Sequence, residues 1–457
     1  MLLRKTLMAG LIAAVVTPSV WAASDADLAQ IRAEIKQMRE AYEARIAALE
    51  KRLSEAETHT AQAETRATEA QSKADQAVAQ VAPQATQNAF NPAVSLILSG
   101  TYANLSRDPD SYQITGFVPT GGEVGPPKRS FSLAESELAL SANIDPYLRG
   151  EFMLAAAPDN TVAVENAYIQ TLALSHGMTL RAGRFYSGIG YINEQHAHVW
   201  DFVDAPLAQK AFLGGQYAND GAQFRWLAPT DTYLELGGEV GRGHNFPGSE
   251  RNKNGIGGWS LFAHTGGDVG DSHSWLAGVS YLHNASRNRE FTDNDVTNSF
   301  TGTSGLWLAN LVWKWAPNGN ATYTNFKFQS EYYRRDENGD LTYDSGAAGA
   351  QTSRFTSAQS GWYAQGVYQF LPRWRTGLRY DRLSHGRVDL GSIPASNLPV
   401  LTNYDPTRTT LMLDYNPSEF SRFRLQFARD NSRRDFGDNQ LMLQYIMSLG
   451  AHGAHQF

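Results

Sequence analysis

Two pairs of closely spaced histidines are the residues in this sequence whose chemistry is easiest to name. His196 and His198 lie two positions apart, and His452 and His455 lie three apart. Imidazole nitrogen is a good ligand for Zn²⁺ and Cu²⁺. Residues two apart share a face of an extended chain, so the first pair could chelate a metal if its segment is extended, whereas the second pair would point to opposite faces. We predict no resident metal and no cofactor, with metal binding kept as an alternative.

The first histidine pair belongs to a long connection, residues 186–220, that also carries three acids. Glu194, Asp201 and Asp204 lie in a stretch far more apolar and aromatic than a solvated loop requires. Such a segment needs a surface to pack on, and the interior of a barrel would supply one. Opposed rows of charge across a narrow aqueous passage create a transverse field that sets ion preference. The alternative is that these charges only solvate a polar interior and select nothing.

The charged residues expected to face each other across such an interior fall into two groups. The predicted constriction residues are Arg181, Arg184, Glu194, His196, His198, Asp201 and Asp204. The predicted residues lining the rest of the lumen are Arg149, Glu151, Arg225, Lys327, Glu331, Arg375, Arg379, Arg422 and Arg424. No short motif pairs a nucleophile with a base, so we predict that the protein is not an enzyme.

The elements that must position these residues are β-strands, because polar and apolar residues alternate along the chain. In the last such segment Leu441, Leu443 and Tyr445 fall on one face, and Gln440 and Gln444 on the other. Alternating segments of about nine to eleven residues recur from residue 93 onwards, which is the length that crosses a bilayer obliquely. We expect the apolar faces to point outwards. The alternative is a soluble sandwich or barrel with the apolar face inside.

Connections of two kinds separate these segments. Tight turns with Pro or Gly occur at 144–147, 175–177, 228–231, 316–320, 371–373 and 416–419. Long polar connections lie near 104–130, 186–220, 241–258, 283–304, 335–360, 384–408 and 429–439. Short periplasmic turns that alternate with long external loops are typical of outer-membrane barrels. The pattern predicts an all-β transmembrane antiparallel barrel of about 16 strands over residues 92–457 with both termini in the periplasm.

The N-terminal part of the chain differs in composition. Arg4 and Lys5 precede an apolar run, and Ala22 ends a site suited to cleavage, so residues 1–22 are predicted to be a signal peptide. Apolar residues at spacings of three and four then predict an α-helical, periplasmic coiled coil over 23–82, followed by a linker over 83–91. A lone solvated helix is the alternative for the segment 23–82.

Composition excludes several other classes of protein. The chain has 457 residues and no cysteine, which excludes a disulfide framework and a thiolate metal site. Its formal net charge is −7, so we predict no nucleic-acid partner. After the first twenty or so residues no apolar run approaches the roughly 18 that a spanning helix needs.

The segment from about residue 90 to residue 457 resembles the porin superfamily, nearest to the phosphate-selective O/P type with its N-terminal helical extension. The resemblance depends on the alternation, on the run from Leu180 to Phe185 and on the terminal Phe457. It implies a Gram-negative outer-membrane protein surrounded by lipid and lipopolysaccharide, a homotrimer, and recognition of Phe457 by the barrel-assembly machinery. The lysine-rich phosphate-binding rungs of that type are not evident, so phosphate specificity is not implied.

The expected function is therefore that of a porin, with passive diffusion of small hydrophilic solutes or ions through a water-filled barrel narrowed by the 186–220 loop. The alternative is a substrate-specific outer-membrane channel or receptor for a metal ion or metallophore. An energy-coupled receptor would need a globular plug of over about a hundred residues, and only the helical segment and linker precede the first strand. Contact between that helical segment and peptidoglycan is a further expectation.

Overall fold

The structure is a computed structural model. It describes residues 92–121 and 124–450, together with five positions nearer the N terminus, which are Lys36, Glu40, Glu43, Ala47 and Lys51. The chain divides into two compact units, Met1–Ala89 and Phe90–Phe457. Among the described residues, no helix has both the length and the apolar composition needed to cross a membrane.

The five described positions of the first unit are helical and exposed. Lys36 and Glu40 form an ion pair of 4.0 Å across one helical turn. The signal peptide predicted over 1–22, the rest of the coiled coil predicted over 23–82 and the linker lie outside the described residues, as do His452, His455 and Phe457.

The second unit is built from seventeen strands in one antiparallel sheet and a short helix. The strands are β1 Ala93–Leu105, β2 Ser130–Leu133, β3 Ser136–Asn143, β4 Leu148–Ala156, β5 Val162–Thr171, β6 Met178–Tyr186, β7 Ala218–Leu227, β8 Tyr233–Gly241, β9 Gly258–Val269, β10 His273–Asp293, β11 Val296–Trp315, β12 Asn325–Tyr343, β13 Gln351–Leu371, β14 Trp374–Asp389, β15 Thr407–Ser418, β16 Ser421–Asn431 and β17 Asp438–Gly450. The helix α1 spans Leu207–Leu213, between β6 and β7.

The sheet closes into a barrel because the last strand pairs with the first. Strand β17 runs antiparallel to β1, from the pair Ser95 and Gly450 to the pair Leu105 and Gln440. Strands β2 and β3 both pair with β1, at its later and earlier residues respectively, so they are two pieces of one barrel position. The barrel therefore has 16 positions, as predicted, and closure leaves neither the first nor the last described strand at a sheet edge.

Alternation along the strands places apolar side chains on the exposed face. In β17, Leu441 and Leu443 are 42% and 47% exposed, whereas Met442 between them is fully buried. The buried face is mostly polar, and its fully buried side chains include Arg379, Arg424 and other arginines. An apolar outer face around a charged interior is the reverse of a water-soluble barrel and suits a lipid surround.

Most of the predicted turns are confirmed, but two predicted loops are largely strand. Residues 283–304 and 335–360 fall mainly within β10, β11, β12 and β13. Strands β10 and β11 are joined by only two residues, Asn294 and Asp295, which both have the positive φ that such hairpin turns require. The error arose because a polar composition indicates only that residues contact water. The exposed face of a strand can contact water just as a loop does.

The part of the interior near the long connections is filled with apolar side chains. All seven residues of α1 are buried, and the Phe212 ring stacks on Tyr333 at 6.0 Å and meets Phe117 edge-on at 5.7 Å. A second apolar cluster includes Val118, Phe300 and Val400 from the wall and two other connections. The α1 segment therefore packs against the barrel wall and is not solvated.

We expect an arginine in the exposed apolar face to destabilise the barrel in lipid. Leu411 of β15 is 52% exposed. Leu411→Arg should lower the free energy of unfolding in lipid vesicles by about 2–4 kcal/mol, the cost of a cation at the bilayer midplane. Ser396→Arg, in the exposed connection between β14 and β15, should change it little. Equal losses in the two variants would contradict the orientation of the sheet.

Candidate functional site

The segment 187–217, between β6 and β7, holds five of the seven predicted constriction residues. Its two ends meet, since the Ser187 amide donates to the Tyr217 carbonyl at 3.0 Å. The Asn193 side chain donates to the carbonyls of Ser187 and Tyr217 at 2.8 and 3.0 Å and accepts the Tyr217 amide at 2.8 Å. This buried asparagine closes the neck of the segment, so the segment begins and ends at adjacent strands.

The first residues of the segment bond to the barrel wall through their backbone amides. The Gly188 amide donates to Glu239 of β8 at 2.8 Å, and the Tyr191 amide donates to Glu331 of β12 at 2.5 Å. Between them, the Gly190 amide donates to Ser280 of β10 at 3.1 Å. Successive donors to three different strands lay this part of the segment along the buried face of the sheet.

Two carboxylates of the segment meet cations of the wall. Asp201 lies 2.5 Å from the Lys327 Nζ of β12 and 3.3 Å from the Arg375 Nη1 of β14. Asp204 lies 3.2 Å from Arg379 of β14 and also pairs with Arg408 of β15. These buried ion pairs fix the middle of the segment to the wall opposite its neck.

The wall cations control the ionisation of both carboxylates. Burial alone raises the pKa of Asp201, but the nearby charges of Lys327 and Arg375 outweigh it and lower the pKa far below its usual range. For Asp204, burial again raises the pKa and the charges of Arg408 and Lys210 lower it by more. Both groups are therefore charged at every pH near neutrality.

A cavity of about 680 Å³ lies beside the segment. Its lining includes many predicted residues, which are Arg149, Glu151, Arg181, Glu194, His196, His198, Asp201, Lys327, Arg375 and Arg422. A second cavity of about 670 Å³ shares Asp201, Lys327 and Arg375 with the first and reaches the turn at 270–272. The charged space therefore extends to the end of the barrel that carries the short turns.

Other predicted residues hold the segment and do not line that cavity. Arg225 pairs with Glu194 and Glu235, and Arg424 donates to Asp414 at 2.9 Å and to the Trp200 carbonyl at 2.8 Å. Glu331 accepts a hydrogen bond from the Tyr191 amide, and Arg379 donates to the Asp204 carbonyl, so both wall residues hold the segment. Asp204 belongs to the segment itself. Arg184 lies apart from all of these. It pairs with Asp220 at 2.6 Å and is not among the cavity-lining residues.

Three residues at the histidine pair were not predicted, namely Glu137 of β3, Glu165 of β5 and Asn166. The His196 Nδ1 lies 3.1 Å from Glu165 and 3.5 Å from Glu137, and the His198 Nδ1 lies 2.9 Å from Glu137. The polar phase of β3 could have flagged Glu137, but nothing in the sequence places it beside residue 196.

The two histidines do not form the chelate that an extended segment would give. Residues 197–199 form a turn of 3₁₀ helix, and the imidazoles stack at 5.9 Å with each Nδ1 towards a glutamate. Burial alone lowers the pKa of His196, but the neighbouring Glu165 and Glu137 outweigh it and raise the pKa. A possible metal site is formed by three residues, each of which offers one ligand atom: Glu137, Glu165 and His196. These three atoms lie within 4.8 Å of one another.

We expect Asp204→Asn to cost about 3–5 kcal/mol of the free energy of unfolding, because it leaves the buried Lys210 without its ion-pair partner and leaves Arg379 and Arg408 with only one carboxylate each. Asp336→Asn, which removes an exposed ion pair of 3.5 Å with Arg334, should cost less than about 1 kcal/mol. Because its pKa is lowered in the folded state, Asp204 contributes stability above the usual value of 3.8 and loses it as the pH falls towards the folded pKa.

Urea titrations over a range of pH measure both effects. The difference between the wild type and Asp204→Asn should be constant from about pH 5 to pH 8 and should shrink below about pH 4. A difference that grows on acidification would show that the ion pairs do not hold the segment.

Comparison with known proteins gives one sequence relative and several structural likenesses. The sequence is 33% identical over 409 residues to an uncharacterized protein of Aquifex aeolicus (strain VF5), covering 83% of this chain and 82% of that protein. No protein-family model matches the sequence.

Among solved structures, the loop L8 deletion mutant of OmpT, an outer membrane protein of Vibrio cholerae, has a TM-score of 0.50 at 11% identity, over 79% of this chain and 99% of that one. The outer membrane channel DcaP of Acinetobacter baumannii has a TM-score of 0.48 at 14% identity, over 79% and 97%. At such identity the likeness to OmpT concerns the fold alone. The barrel fold matches that of outer-membrane proteins, and the chain belongs to the family of the Aquifex aeolicus protein.

Proposed function

We propose that the protein is an outer-membrane porin through which small hydrophilic solutes and ions diffuse passively. The observation that carries this proposal is a closed barrel whose exposed face is apolar and whose buried face is charged. A lipid-facing surface and a water-lined interior are what a passage through a membrane requires. The two adjoining charged cavities at the turn end supply the aqueous space, and no chemical step is part of this function.

The segment 187–217 is the proposed constriction. It bonds to Glu239 and Glu331 at one place and pairs through Asp201 with Lys327 and Arg375 at another. The apolar packing of α1 leaves less room for water near the long connections than near the turns. We therefore propose a narrow channel, in which the constriction sets the conductance.

The charge of the cavity lining supports a weak preference for anions. Six Lys and Arg side chains line the larger cavity, against four Asp and Glu side chains. Among the described residues, no ion pair involves Arg149 or Arg422. Cations without a carboxylate partner leave a net positive potential in a water-filled space of limited width.

We further propose the setting of this channel. The barrel lies in lipid and lipopolysaccharide of the outer membrane, as a homotrimer, with the helical N-terminal segment in the periplasm. Strand β1 begins, and strand β17 finishes, on the side of the barrel that carries the short turns. This supports a periplasmic position for both termini of the barrel. Assembly through Phe457 and a contact with peptidoglycan remain predictions from the sequence.

A channel selective for a metal ion is the second candidate function. The observation that favours it is the group formed by Glu137, Glu165 and His196, two of which line the larger cavity. A selective channel would show block of its ion current by Zn²⁺ at micromolar concentrations, and a general porin would not.

We expect removal of the constriction to widen the channel. Replacement of residues 197–213 by a short Gly-Ser linker should raise the single-channel conductance in planar bilayers at least about twofold, because it removes α1 and both aspartates from the lumen. Deletion of residues 346–349, in the exposed connection between β12 and β13, is the matched control and should leave the conductance unchanged. An unchanged conductance in the first variant would exclude the segment as the constriction.

We expect Arg149→Ala to reduce the preference for anions. Arg149 is exposed to the cavity and its guanidinium donates to Ser141 at 2.8 Å. Loss of this charge should move the reversal potential in a KCl gradient towards that of a cation-selective channel. Arg434→Ala, in the exposed connection between β16 and β17, should not move it. Equal shifts of the reversal potential in the two variants would mean that the charge of the whole protein surface, and not that of the lumen, sets the ion preference.

A further inference from the structure

Three side chains from separate elements converge where the segment 187–217 meets the wall beside its neck. Glu137 comes from β3, Glu165 from β5 and His196 from the segment itself. Glu165 lies at a register shift, since Leu154 pairs with Val164 and Met153 with Asn166, which leaves Glu165 without a partner on β4. We propose that these three residues bind a divalent transition-metal ion of the Zn²⁺ class. This proposal goes beyond the porin function and does not depend on it.

The distances between the ligand atoms suit such an ion. The His196 Nδ1 lies 3.1 Å from the Glu165 Oε2 and 3.5 Å from the Glu137 Oε2. Zn²⁺ binds nitrogen and oxygen at about 2.0–2.2 Å in tetrahedral geometry, which places neighbouring ligand atoms roughly 3.3–3.5 Å apart. Two of the three separations are therefore close to this spacing, and the third, between the glutamate oxygens, is within 4.8 Å. A water molecule would supply the fourth ligand.

The charges at this place also favour a bound cation. Asp201 and Asp204 pair with Arg or Lys, whereas the ion pairs of Glu137 and Glu165 among the described residues are with histidines only. Glu137 is 1% exposed, and its Oε2 accepts no hydrogen bond. A buried carboxylate oxygen of this kind is costly unless it is paired or coordinates a metal. That oxygen is one of the proposed ligands.

The neighbouring side chains hold the proposed ligands in place. The His198 Nδ1 lies 2.9 Å from the other oxygen of Glu137, and the Tyr186 hydroxyl donates to the other oxygen of Glu165 at 2.8 Å. Metal-binding carboxylates and histidines are commonly oriented in this way by hydrogen bonds from residues behind them. Each glutamate therefore keeps one oxygen for the ion.

Asn166 can stabilise the tautomer of His196 that binds a metal. Its Nδ2 lies 3.2 Å from the His196 Nε2, and its Oδ1 is buried without a hydrogen-bond partner. A metal on Nδ1 requires the imidazole proton on Nε2. Rotation of the Asn166 amide by half a turn would offer Oδ1 as the acceptor for that proton. The orphaned oxygen thus gains its partner in the metal-bound form, while the Asn166 Nδ2 gives up its long hydrogen bond of 3.4 Å to Glu151.

The donor set selects among common ions. One imidazole and two carboxylates suit first-row divalent ions, whereas Ca²⁺ takes about 6–8 oxygen ligands and Mg²⁺ keeps several waters. Glu137 and His196 line the larger cavity, so an ion in the lumen can reach them. A bound ion would tie the segment to β3 and β5, in addition to its ion pairs with β12, β14 and β15.

Calorimetric titration of the purified full-length protein with Zn²⁺, after treatment with a chelator, tests the proposal. We expect one site per chain whose affinity falls at least about tenfold in Glu165→Gln and in His196→Gln. His176→Gln removes an exposed turn histidine and should leave the site intact. The double variant His452→Gln with His455→Gln should also leave it intact, which separates the site from the second histidine pair of the sequence.

X-ray absorption at the zinc edge supplies a measurement that needs no variant. The wild type should show only nitrogen and oxygen ligands at about 2.0–2.1 Å, with the signature of one imidazole. Thermal unfolding confirms that each variant is folded, and Mg²⁺ and Ca²⁺ should fail to compete. Unchanged binding in Glu165→Gln and His196→Gln, loss of binding in the C-terminal double variant, or a zinc spectrum with two or more imidazoles would overturn the proposal. None of these readouts measures conductance, so a failed porin assay leaves them interpretable.

Discussion

The buried ion pairs between the segment 187–217 and the barrel wall are the interaction on which the interior depends. Asp201 and Asp204 bring negative charge into a lumen whose wall presents Arg375, Arg379 and Arg408. Neither side is stable in that place alone, because an unpaired charge away from water is costly to bury. The pairing therefore fixes the path of the segment, and the path of the segment decides which wall residues still face water.

This arrangement follows from the closure of the sheet. A barrel of 16 positions is too wide for its own inward side chains to fill, so part of its interior must be occupied by other residues or by water. Near the long connections α1 and its neighbours fill it with apolar contacts. Near the short turns the wall is charged and two cavities remain. The same barrel thus carries a packed region and a region with cavities, and the segment 187–217 contributes residues to both.

Much of the fold could be predicted from the sequence, because alternation is a local property. The faces of the last strand, the number of barrel positions and most turns follow from residues close together in the chain. The polar hairpin of β10 and β11 was wrongly predicted to be a loop, because composition does not distinguish a strand exposed to water from a loop exposed to water. Asp201 was expected to face wall cations because its segment is too apolar for a solvated loop, and Lys327 was expected to face the interior because of its phase in an alternating segment.

The rest of the site depends on contacts that no local pattern encodes. Glu137 meets His196 across 59 positions, and Glu165 reaches the same place only because of a one-residue register shift. Arg184 follows Arg181 in the same strand, yet it pairs with Asp220 apart from the cavity. Asp204 belongs to the predicted set, but its partners make it a holding residue rather than a lining residue.

The central claim is that water and ions pass through a closed barrel with a charged interior. Recording of the wild-type protein in planar bilayers tests it most directly. We predict discrete current steps of one size whose conductance rises in proportion to the KCl concentration. A protein that inserts in its folded form and yet carries no current would contradict the account.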